Sequence, residues 1–219
     1  MLNYYEVAAS RPSADPSIEQ FLMKASDLNE QVNHIGPYLE NKRVFFLGDD
    51  DHISPLLAER FSVEPVVYEY DERIRKNLGY WFMRANITSF KVEEYDARKP
   101  VVINEPCDSF YINPPYSSKS EGLGIKVWLM RALEACRPDC KGILVMPLGN
   151  ANISKGWTKK VEQSVKDFLG KNGLVITNID MNMSSYEHTN DAGLKSSNLY
   201  LLRSDPSQQT FIRPADLYN

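Results

Sequence analysis

The sequence lacks any apolar run long enough to cross a bilayer, and it contains few cysteines. No stretch approaches the roughly 20 apolar residues of a membrane-spanning helix, and the first residues show no basic segment followed by an apolar core, as a secretory signal would. The 3 cysteines, Cys107, Cys136 and Cys140, are too few and unsuitably spaced for a zinc site or a disulfide framework. We therefore expect a cytoplasmic protein without a membrane partner.

A strong net charge is also missing, because 25 basic and 29 acidic residues leave a formal charge of −4. Proteins with a large nucleic-acid footprint normally carry a basic surface, so nucleic acid is a disfavoured partner. The length of 219 residues suits one α/β domain, and 42% hydrophobic and 25% charged residues are ordinary for a globular protein. We expect a helical extension over 1–40, an α/β domain over 41–205 and a tail over 206–219.

Short apolar runs alternate with helical patterns along the chain. Strands such as "RVFFL", "PVVYE" and "GILVM" are apolar along most of their length, which indicates a mostly parallel sheet covered by helices on both faces. The last two strands have no helix between them and are expected to pair antiparallel. Ahead of the sheet, Asp15 as an N-cap and Pro16 at the first helical position predict one amphipathic helix. Its predicted apolar face comprises Ile18, Phe21, Leu22, Ala25, Leu28 and Val32.

A glycine-rich phosphate loop is absent from the end of the first strand. Nucleotide sites usually show several glycines there, whereas Gly48 is followed by Asp49, Asp50 and Asp51. Adjacent carboxylates repel an anion and suit a cation, either an amine or a divalent metal. The alternative is that one aspartate caps the following helix and the others are solvated.

Two further acids stand at the ends of the second and third strands. Glu69 follows the first strand end by the spacing of about 20 residues at which an acid receives ribose hydroxyls in nucleoside-binding folds. Asp71 is better placed to cap the next helix. Asp96 ends the third strand, where its side chain could accept a hydrogen bond from an adenine amino group. Gly48, Asp49, Glu69 and Asp96 are therefore predicted to bind the cofactor.

The fourth strand ends in "NPPY", and two consecutive prolines can neither extend a strand nor enter a helix. The side-chain oxygen of Asn113 and the carbonyl of Pro114 are two acceptors that can hold an NH₂ group. Tyr116 can stack on a planar target or close over an alkyl amine. The prolines fix this geometry in advance, which lowers the entropic cost of orientation. The stretch is predicted to hold a nitrogen nucleophile, and its alternative is a rigid turn without a ligand.

A long polar connection precedes the last strand, and such connections often carry specificity. We expect Tyr186 and Glu187 to line the acceptor pocket together with Asp51. His188 and Asp191 are weaker candidates on the same connection.

These strand-end residues resemble those of the class I S-adenosylmethionine-dependent transferases, which have a Rossmann-like fold with an antiparallel last strand. The resemblance covers roughly residues 40–205. Within that superfamily, "LGDDDHIS", "YEYDERI" and "SSNLYLLRS" look most like the catalytic domain of the branched-chain polyamine synthases. The resemblance implies aminopropyl transfer from decarboxylated S-adenosylmethionine to a secondary amine of spermidine. It also implies that Asp50 or a neighbouring aspartate binds or deprotonates the amine, and that Glu69 holds the ribose.

Two other interpretations remain open. The Asn-Pro-Pro-Tyr form is typical of methyltransferases that use S-adenosylmethionine on an adenine or amide NH₂, although the acidic balance and the little room for a target-recognition domain disfavour DNA. The second open interpretation is a non-catalytic scaffold of the same fold. In both enzyme interpretations the protein orients two reactants and accepts one proton, and no metal is required. A small-molecule amine is the expected partner, and a homo-oligomer is compatible with the sequence.

Overall fold

The computed structural model describes residues 1–18, 20–115, 122–148, 159–187, 195–205 and 207. The helices are α1 (Tyr4–Ala9), α2 (Ala25–Leu39), α3 (Ile53–Phe61), α4 (Glu72–Arg84), α5 (Leu123–Ala135) and α6 (Lys159–Lys171). The strands are β1 (Arg43–Leu47), β2 (Glu64–Glu69), β3 (Lys91–Glu94), β4 (Cys107–Ile112), β5 (Cys136–Met146), β6 (Leu174–Ser185) and β7 (Lys195–Arg203). No helix in the described ranges is both long enough and apolar enough to span a membrane.

The strands of the described residues form one seven-stranded sheet in the order β3-β2-β1-β4-β5-β7-β6. Neighbours from β3 to β5 pair in parallel, and β7 is antiparallel to both β5 and β6. This arrangement confirms the predicted mostly parallel Rossmann-like sheet with an antiparallel last strand. The strand order reverses between β1 and β4, and in such sheets ligands bind beyond the carboxyl ends of the strands at that reversal.

The central strands β1, β2 and β4 are buried on both faces because helices cover the sheet from both sides. Consecutive side chains of a strand point to opposite faces, so in β1 Phe45 packs in one hydrophobic cluster and Phe46 in the other. The first cluster includes side chains of α5 and α6, such as Leu129 and Phe168. The second includes side chains of α2, α3 and α4, such as Leu78. This double burial explains why the strands read as near-continuous apolar runs.

The prediction of one helix starting at Pro16 is wrong. A short 3₁₀ turn covers Pro16–Ile18, and α2 begins only at Ala25. Asp15 does cap the turn, since its carboxylate accepts a hydrogen bond from the Ser17 N–H at 2.9 Å. The predicted apolar residues Ile18 and Phe21 are 41% and 38% exposed. Leu28 and Val32 of the predicted face are buried in α2, together with Ile35 and Leu39.

The stretch before α2 is extended because it pairs with the end of β6. Met23 and Tyr186 form an antiparallel bridge. The Lys24 N–H donates to the Ser185 carbonyl at 2.9 Å, and the Glu187 N–H donates to the Leu22 carbonyl at 2.8 Å. These hydrogen bonds link partners far apart in the chain, so helical periodicity cannot reveal them. They bring the N-terminal segment to the carboxyl edge of the sheet.

Gly142 in β5 lies directly against the ring of Phe110 in β4. A Cβ at Gly142 would stand 2.1 Å from the Phe110 ring, whereas a Cβ at Gly79 in α4 would meet no atom within 4 Å. We expect Gly142→Ala to lower the free energy of unfolding by about 1–3 kcal/mol, because the interior is close-packed. Gly79→Ala is the matched control and should raise it by about 0.5–1 kcal/mol. Urea unfolding checks both values, and a neutral Gly142→Ala would contradict this packing.

Candidate active site

The turn after β1 begins with a glycine that the backbone and the packing both require. Gly48 has φ +68°, and a Cβ there would lie 2.7 Å from the Trp128 ring. Its N–H donates to the Tyr68 carbonyl at 2.8 Å, which continues the β1–β2 pairing into the turn. Gly48 therefore lets the chain leave the sheet sharply, so that the three following aspartates gather at its carboxyl edge.

The Asp49 carboxylate belongs to the N-terminus of α3. It accepts hydrogen bonds from the Ile53 N–H at 2.8 Å and the Ser54 N–H at 3.0 Å. Because the first N–H groups of a helix have no partner within the helix, this carboxylate acts as the cap of α3. Burial raises the pKa of Asp49 to about 8, although the hydrogen bonds from Ser54 and Ile53 oppose that shift. Its predicted contact with the cofactor stays a prediction.

Glu69 connects the ends of β1 and β2. Its carboxylate accepts the Asp49 N–H at 3.0 Å and the Asp71 N–H at 2.8 Å. Burial raises the pKa of Glu69, which is 5% exposed. Each carboxylate oxygen has a second lone pair, so Glu69 can still accept a ligand hydroxyl. Asp71 caps α4 through the Arg73 N–H, as predicted.

Asp96 follows β3, and its carboxylate is held within its own turn. Its carboxylate accepts hydrogen bonds from the Arg98 N–H at 3.0 Å and from the Arg98 guanidinium. These hydrogen bonds from Arg98 lower the pKa of Asp96. The structure therefore does not join Asp96 to the cluster around the aspartate triplet, and its role toward adenine stays a prediction.

Asp51, in the turn after β1, links the end of β4 to the N-terminal segment, because its carboxylate contacts both. Its Oδ2 accepts a hydrogen bond from Asn113 Nδ2 at 3.2 Å. Its Oδ1 accepts the Met23 N–H at 2.6 Å and lies 3.3 Å from Arg11 Nη1. Burial raises the pKa of Asp51, while the Arg11 charge and the hydrogen bonds from Met23 and Asn113 oppose the shift. The predicted residues Asp51 and Asn113 thus lie side by side.

Arg11 is a site residue that sequence reasoning missed. Its side chain is 2% exposed, and Nε and Nη2 donate to the carbonyls of Ala8 at 3.0 Å and Met23 at 2.9 Å. Nη2 also lies 3.5 Å from Glu187 Oε1. No local sequence pattern predicts that Arg11 belongs to the site, because its partners come close only through the pairing of the N-terminal segment with the end of β6.

Tyr186 completes a chain of hydrogen bonds that starts at Asp51. Its hydroxyl lies 3.2 Å from Asn113 Oδ1 and 3.1 Å from the Ser196 hydroxyl. An amide oxygen can only accept, so the Tyr186 O–H donates to Asn113 and accepts from Ser196. Both ends of the Asn113 amide are therefore engaged within the protein. Pro114 is buried next to it; Tyr116, His188 and Asp191 lie outside the described residues.

Asp50 differs from the other two aspartates of the triplet. Asp50 as a residue is partly exposed, and within the described ranges no group donates a hydrogen bond to its carboxylate. Desolvation, followed by the charges of Asp51, Glu69 and Asp49, raises the pKa of Asp50 well above its ordinary value, and Arg11 opposes this. Asp50 is thus the carboxylate of the triplet that remains available to a ligand.

The His52 side chain contacts the backbone of the same turn. Its Nδ1 lies 3.0 Å from the Asp50 carbonyl, and its backbone has φ +57°. Burial lowers the pKa of His52 to about 4, so the ring is neutral at pH 7. A neutral ring that faces a carbonyl through Nδ1 must carry its proton there, and the Nδ1–H donates to Asp50. His52 therefore helps to fix the backbone of Asp50.

The strand order, the reversal between β1 and β4 and the acids at the strand ends define the fold of the class I S-adenosylmethionine-dependent transferases. The chain belongs to the family of the branched-chain polyamine synthase A C-terminal domain, whose family model matches residues 1–209. This confirms the resemblance inferred from the strand-end motifs.

Curated relatives are similar over most of this chain. An uncharacterised protein of Methanocaldococcus jannaschii is 28% identical over 185 residues, which are 82% of this chain and 44% of the relative. The N(4)-bis(aminopropyl)spermidine synthase of Thermococcus kodakarensis is 25% identical over 189 residues, which are 84% of this chain and 51% of that enzyme. The chain thus spans about half the length of the curated relatives it matches.

Solved structures show the same fold. The branched-chain polyamine synthase of Thermus thermophilus, in complex with N4-aminopropylspermidine and 5′-methylthioadenosine, matches 98% of this chain and 69% of its own with a TM-score of 0.74 at 22% identity. Its C9 mutein matches 99% and 67% with a TM-score of 0.76. The magnesium protoporphyrin IX methyltransferase of Synechocystis, with bound S-adenosylmethionine, gives a TM-score of 0.59 at 14% identity over 82% of this chain and 81% of its own. The named enzymes are all transferases, the class predicted from the sequence.

Proposed function

We propose that this chain transfers an aminopropyl group from decarboxylated S-adenosylmethionine to a nitrogen of a small polyamine such as spermidine. The observation that carries the proposal is the state of the aspartate triplet. Asp49 caps α3 and Asp51 is held by Arg11, Met23 and Asn113, whereas the Asp50 carboxylate has no hydrogen-bond donor in the described part of the chain. An amine that carries hydrogens is the partner that such a carboxylate needs.

The residues divide between the two substrates. Gly48, Asp49 and Glu69 form the side of the site proposed for the nucleoside, where Glu69 receives the ribose hydroxyls. Asp50 faces the acceptor amine, with Asp51, Asn113, Tyr186 and Glu187 as the wall of the acceptor pocket. We assign the transferase domain to 41–205, and the extension over 1–40 contributes Arg11 to the wall.

The reaction is an in-line displacement that leaves the protein with one proton to accept. The amine lone pair forms a bond to the methylene carbon next to the sulfonium, and the carbon–sulfur bond breaks with its electrons moving to sulfur. The products are the alkylated amine and 5′-methylthioadenosine. Asp50 holds the attacking nitrogen and takes the proton that it loses. Its raised pKa suits this task, because a carboxylate of ordinary pKa is a weak base at pH 7.

The electrostatics favour the decarboxylated form of the cofactor. S-Adenosylmethionine carries a carboxylate that its decarboxylated form lacks, and Asp50 would repel that group. At an effective dielectric near 20, two unit charges ~5 Å apart interact by about 3 kcal/mol, or roughly 100-fold in affinity. The net charge of the triplet is smaller than three, because Arg11 balances Asp51 and because Asp49, whose pKa burial raises to about 8, is mostly protonated at pH 7.

Methyl transfer to a planar NH₂ is the second candidate, supported by the Asn-Pro-Pro-Tyr sequence at 113–116. That reaction would use Asn113 Oδ1 as an acceptor for the target nitrogen. In this structure Oδ1 already accepts from Tyr186, and Nδ2 donates to Asp51. This engagement leaves Asn113 Oδ1 one lone pair for a target nitrogen, whereas in the aminopropyl proposal Asn113 orients Asp51 rather than the substrate.

Isothermal titration with the two forms of the cofactor tests the proposal. We expect the decarboxylated form to bind up to roughly 100-fold more tightly than S-adenosylmethionine, because it does not bring a carboxylate to Asp50. Preference for S-adenosylmethionine would overturn aminopropyl transfer and make an N-methyltransferase the leading function. Binding of neither form by the folded protein would favour a non-catalytic scaffold.

A further inference from the structure

Asp51 and Glu187, the acids of the acceptor side that form ion pairs, share one basic partner in the described ranges, and it comes from outside the sheet. Among the described residues Arg11 forms two ion pairs, with Asp51 at 3.3 Å and with Glu187 at 3.5 Å. Asp51 follows β1, whereas Glu187 follows β6. One guanidinium on the N-terminal segment thus neutralises acids from two separate parts of the fold.

We infer that Arg11 is a positioning residue that sets the charge of the acceptor site by holding Asp51 and Glu187, so that Asp50 alone is left to bind and deprotonate the amine. The inference rests on the proposed function and extends it. It assigns specificity to Arg11: with two acids already paired, the site offers one uncompensated carboxylate to one nitrogen of a polyamine. Polyamines carry several ammonium groups, and a larger excess of free carboxylates would bind them in competing registers.

The geometry around Arg11 explains why an arginine is needed. Its Nε and Nη2 are fixed by the Ala8 and Met23 carbonyls at 3.0 and 2.9 Å, while the same planar group reaches both acids. Lysine has a single charged atom on a flexible stem and cannot reproduce this set of directions. A lysine at position 11 would keep a positive charge near the acids and lose the fixed orientation.

The charges that face Asp50 come from three elements. Asp49 and Asp51 lie on its own turn, Glu69 stands at the end of β2, and Arg11 comes from the N-terminal segment. Burial and the three acids raise the pKa of Asp50, and Arg11 lowers it. Removal of the Arg11 charge therefore raises the pKa of Asp50, and the pH at which Asp50 becomes a base moves upward.

Two further titratable groups adjoin this turn, and both are neutral at pH 7. Burial lowers the pKa of His52 to about 4. Burial and the nearby Asp51 raise the pKa of Tyr111, on β4, well above its ordinary value. Glu187 faces Asp51 and raises its pKa. None of these groups replaces the positive charge of Arg11, so its removal leaves the acids uncompensated.

The test is the pH profile of kcat/KM for aminopropyl transfer to spermidine, measured on Arg11→Met, Arg11→Lys and wild type. We expect the acid limb of Arg11→Met to move up by about one pH unit, with kcat at pH 7 reduced about 10-fold and KM for spermidine not increased. In Arg11→Lys the acid limb should lie close to the wild-type pH, whereas kcat should be only partly recovered relative to Arg11→Met. Arg11→Met combined with Asp51→Asn should return the limb toward the wild-type pH, since that pair removes one charge of each sign.

Arg43→Met is the matched control. Arg43 also pairs with two carboxylates, Glu64 and Glu105, but it begins β1 at the end of the sheet opposite the site. Its loss should leave the acid limb where it is. Asp51→Asn alone removes the acid whose charge raises the pKa of Asp50 most, so it should shift the limb downward, and it tests the charge balance even if Arg11→Met does not fold.

The outcomes separate the two proposals. Wild-type activity with an unmoved limb in Arg11→Met, or an upward shift in Asp51→Asn, would overturn the role of Arg11 and leave the proposed function intact. A reduced kcat with an unmoved limb would assign Arg11 a purely structural role. Absence of transfer by the folded wild-type protein, with 5′-methylthioadenosine binding retained, would overturn both.

Discussion

Replacing Asp50 by asparagine is expected to lower kcat for aminopropyl transfer by about 10²–10⁴-fold, the usual contribution of a general base. Asparagine keeps the size of the side chain but cannot accept the proton that the amine loses. The backbone of Asp50 is held through the His52 ring, so the turn should keep its shape. Since the carboxylate itself has no hydrogen-bond donor in the part of the chain that the structure describes, its replacement should cost little stability. Steady-state kinetics with spermidine and decarboxylated S-adenosylmethionine give the measurement.

Asp108→Asn controls for the loss of one carboxylate elsewhere in the sheet. Asp108 lies near the start of β4, where it accepts the Arg43 N–H at 3.0 Å and pairs with Arg137 at 2.9 Å. This is the end of the sheet away from the site, so kcat should stay within about 2-fold of wild type. An Asp50→Asn enzyme with kcat equally close to wild type would show that another group accepts the proton.

Replacing Glu69 by alanine is expected to weaken cofactor binding by about 10–100-fold, because charge-assisted hydrogen bonds contribute about 1.5–3 kcal/mol each. Two losses combine in this variant. The proposed contact with the ribose hydroxyls disappears, and the Asp49 and Asp71 N–H groups lose the carboxylate that now holds the two turns together. Isothermal titration with 5′-methylthioadenosine isolates the nucleoside from the aminopropyl group.

Glu94→Ala is the control for Glu69→Ala. Glu94 ends the neighbouring strand β3, and its side chain is 78% exposed and pairs with Arg75. Exposed pairs of this kind contribute little, so 5′-methylthioadenosine affinity should not change. Unchanged affinity in Glu69→Ala would exclude Glu69 from the nucleoside site. Together, Asp50→Asn and Glu69→Ala separate the proton-accepting side of the site from the nucleoside side.

Much of the fold could be predicted from local sequence pattern. The central strands, such as "RVFFL" and "GILVM", are apolar on both faces because helices cover both sides of the sheet, and that requirement is visible in each segment alone. The positions of Gly48, Glu69 and Asn113 at strand ends follow from where those runs stop. Parallel strands bring their carboxyl ends to one edge, so the shared location of these residues was predictable too.

The N-terminal region shows where local pattern fails. Asp15 and Pro16 carry genuine helix-start signals, yet they produce only a 3₁₀ turn, because the following residues pair with the end of β6. Backbone hydrogen bonds to a distant segment outweigh a weak helical preference. Arg11 was missed for the same reason, since its position depends on that pairing.

By itself, the sequence determined which residues stand at the carboxyl edge of the sheet, because strand ends and turn residues are local properties. Only the tertiary structure decided what each of three adjacent aspartates does. The Asp49 carboxylate contacts the N-terminus of α3. The Asp51 carboxylate contacts an arginine 40 residues before it and an asparagine 62 residues after it, whereas the Asp50 carboxylate contacts none of these groups. A carboxylate takes its pKa and its role from the donors and charges around it, and here those neighbours meet only when the chain has folded.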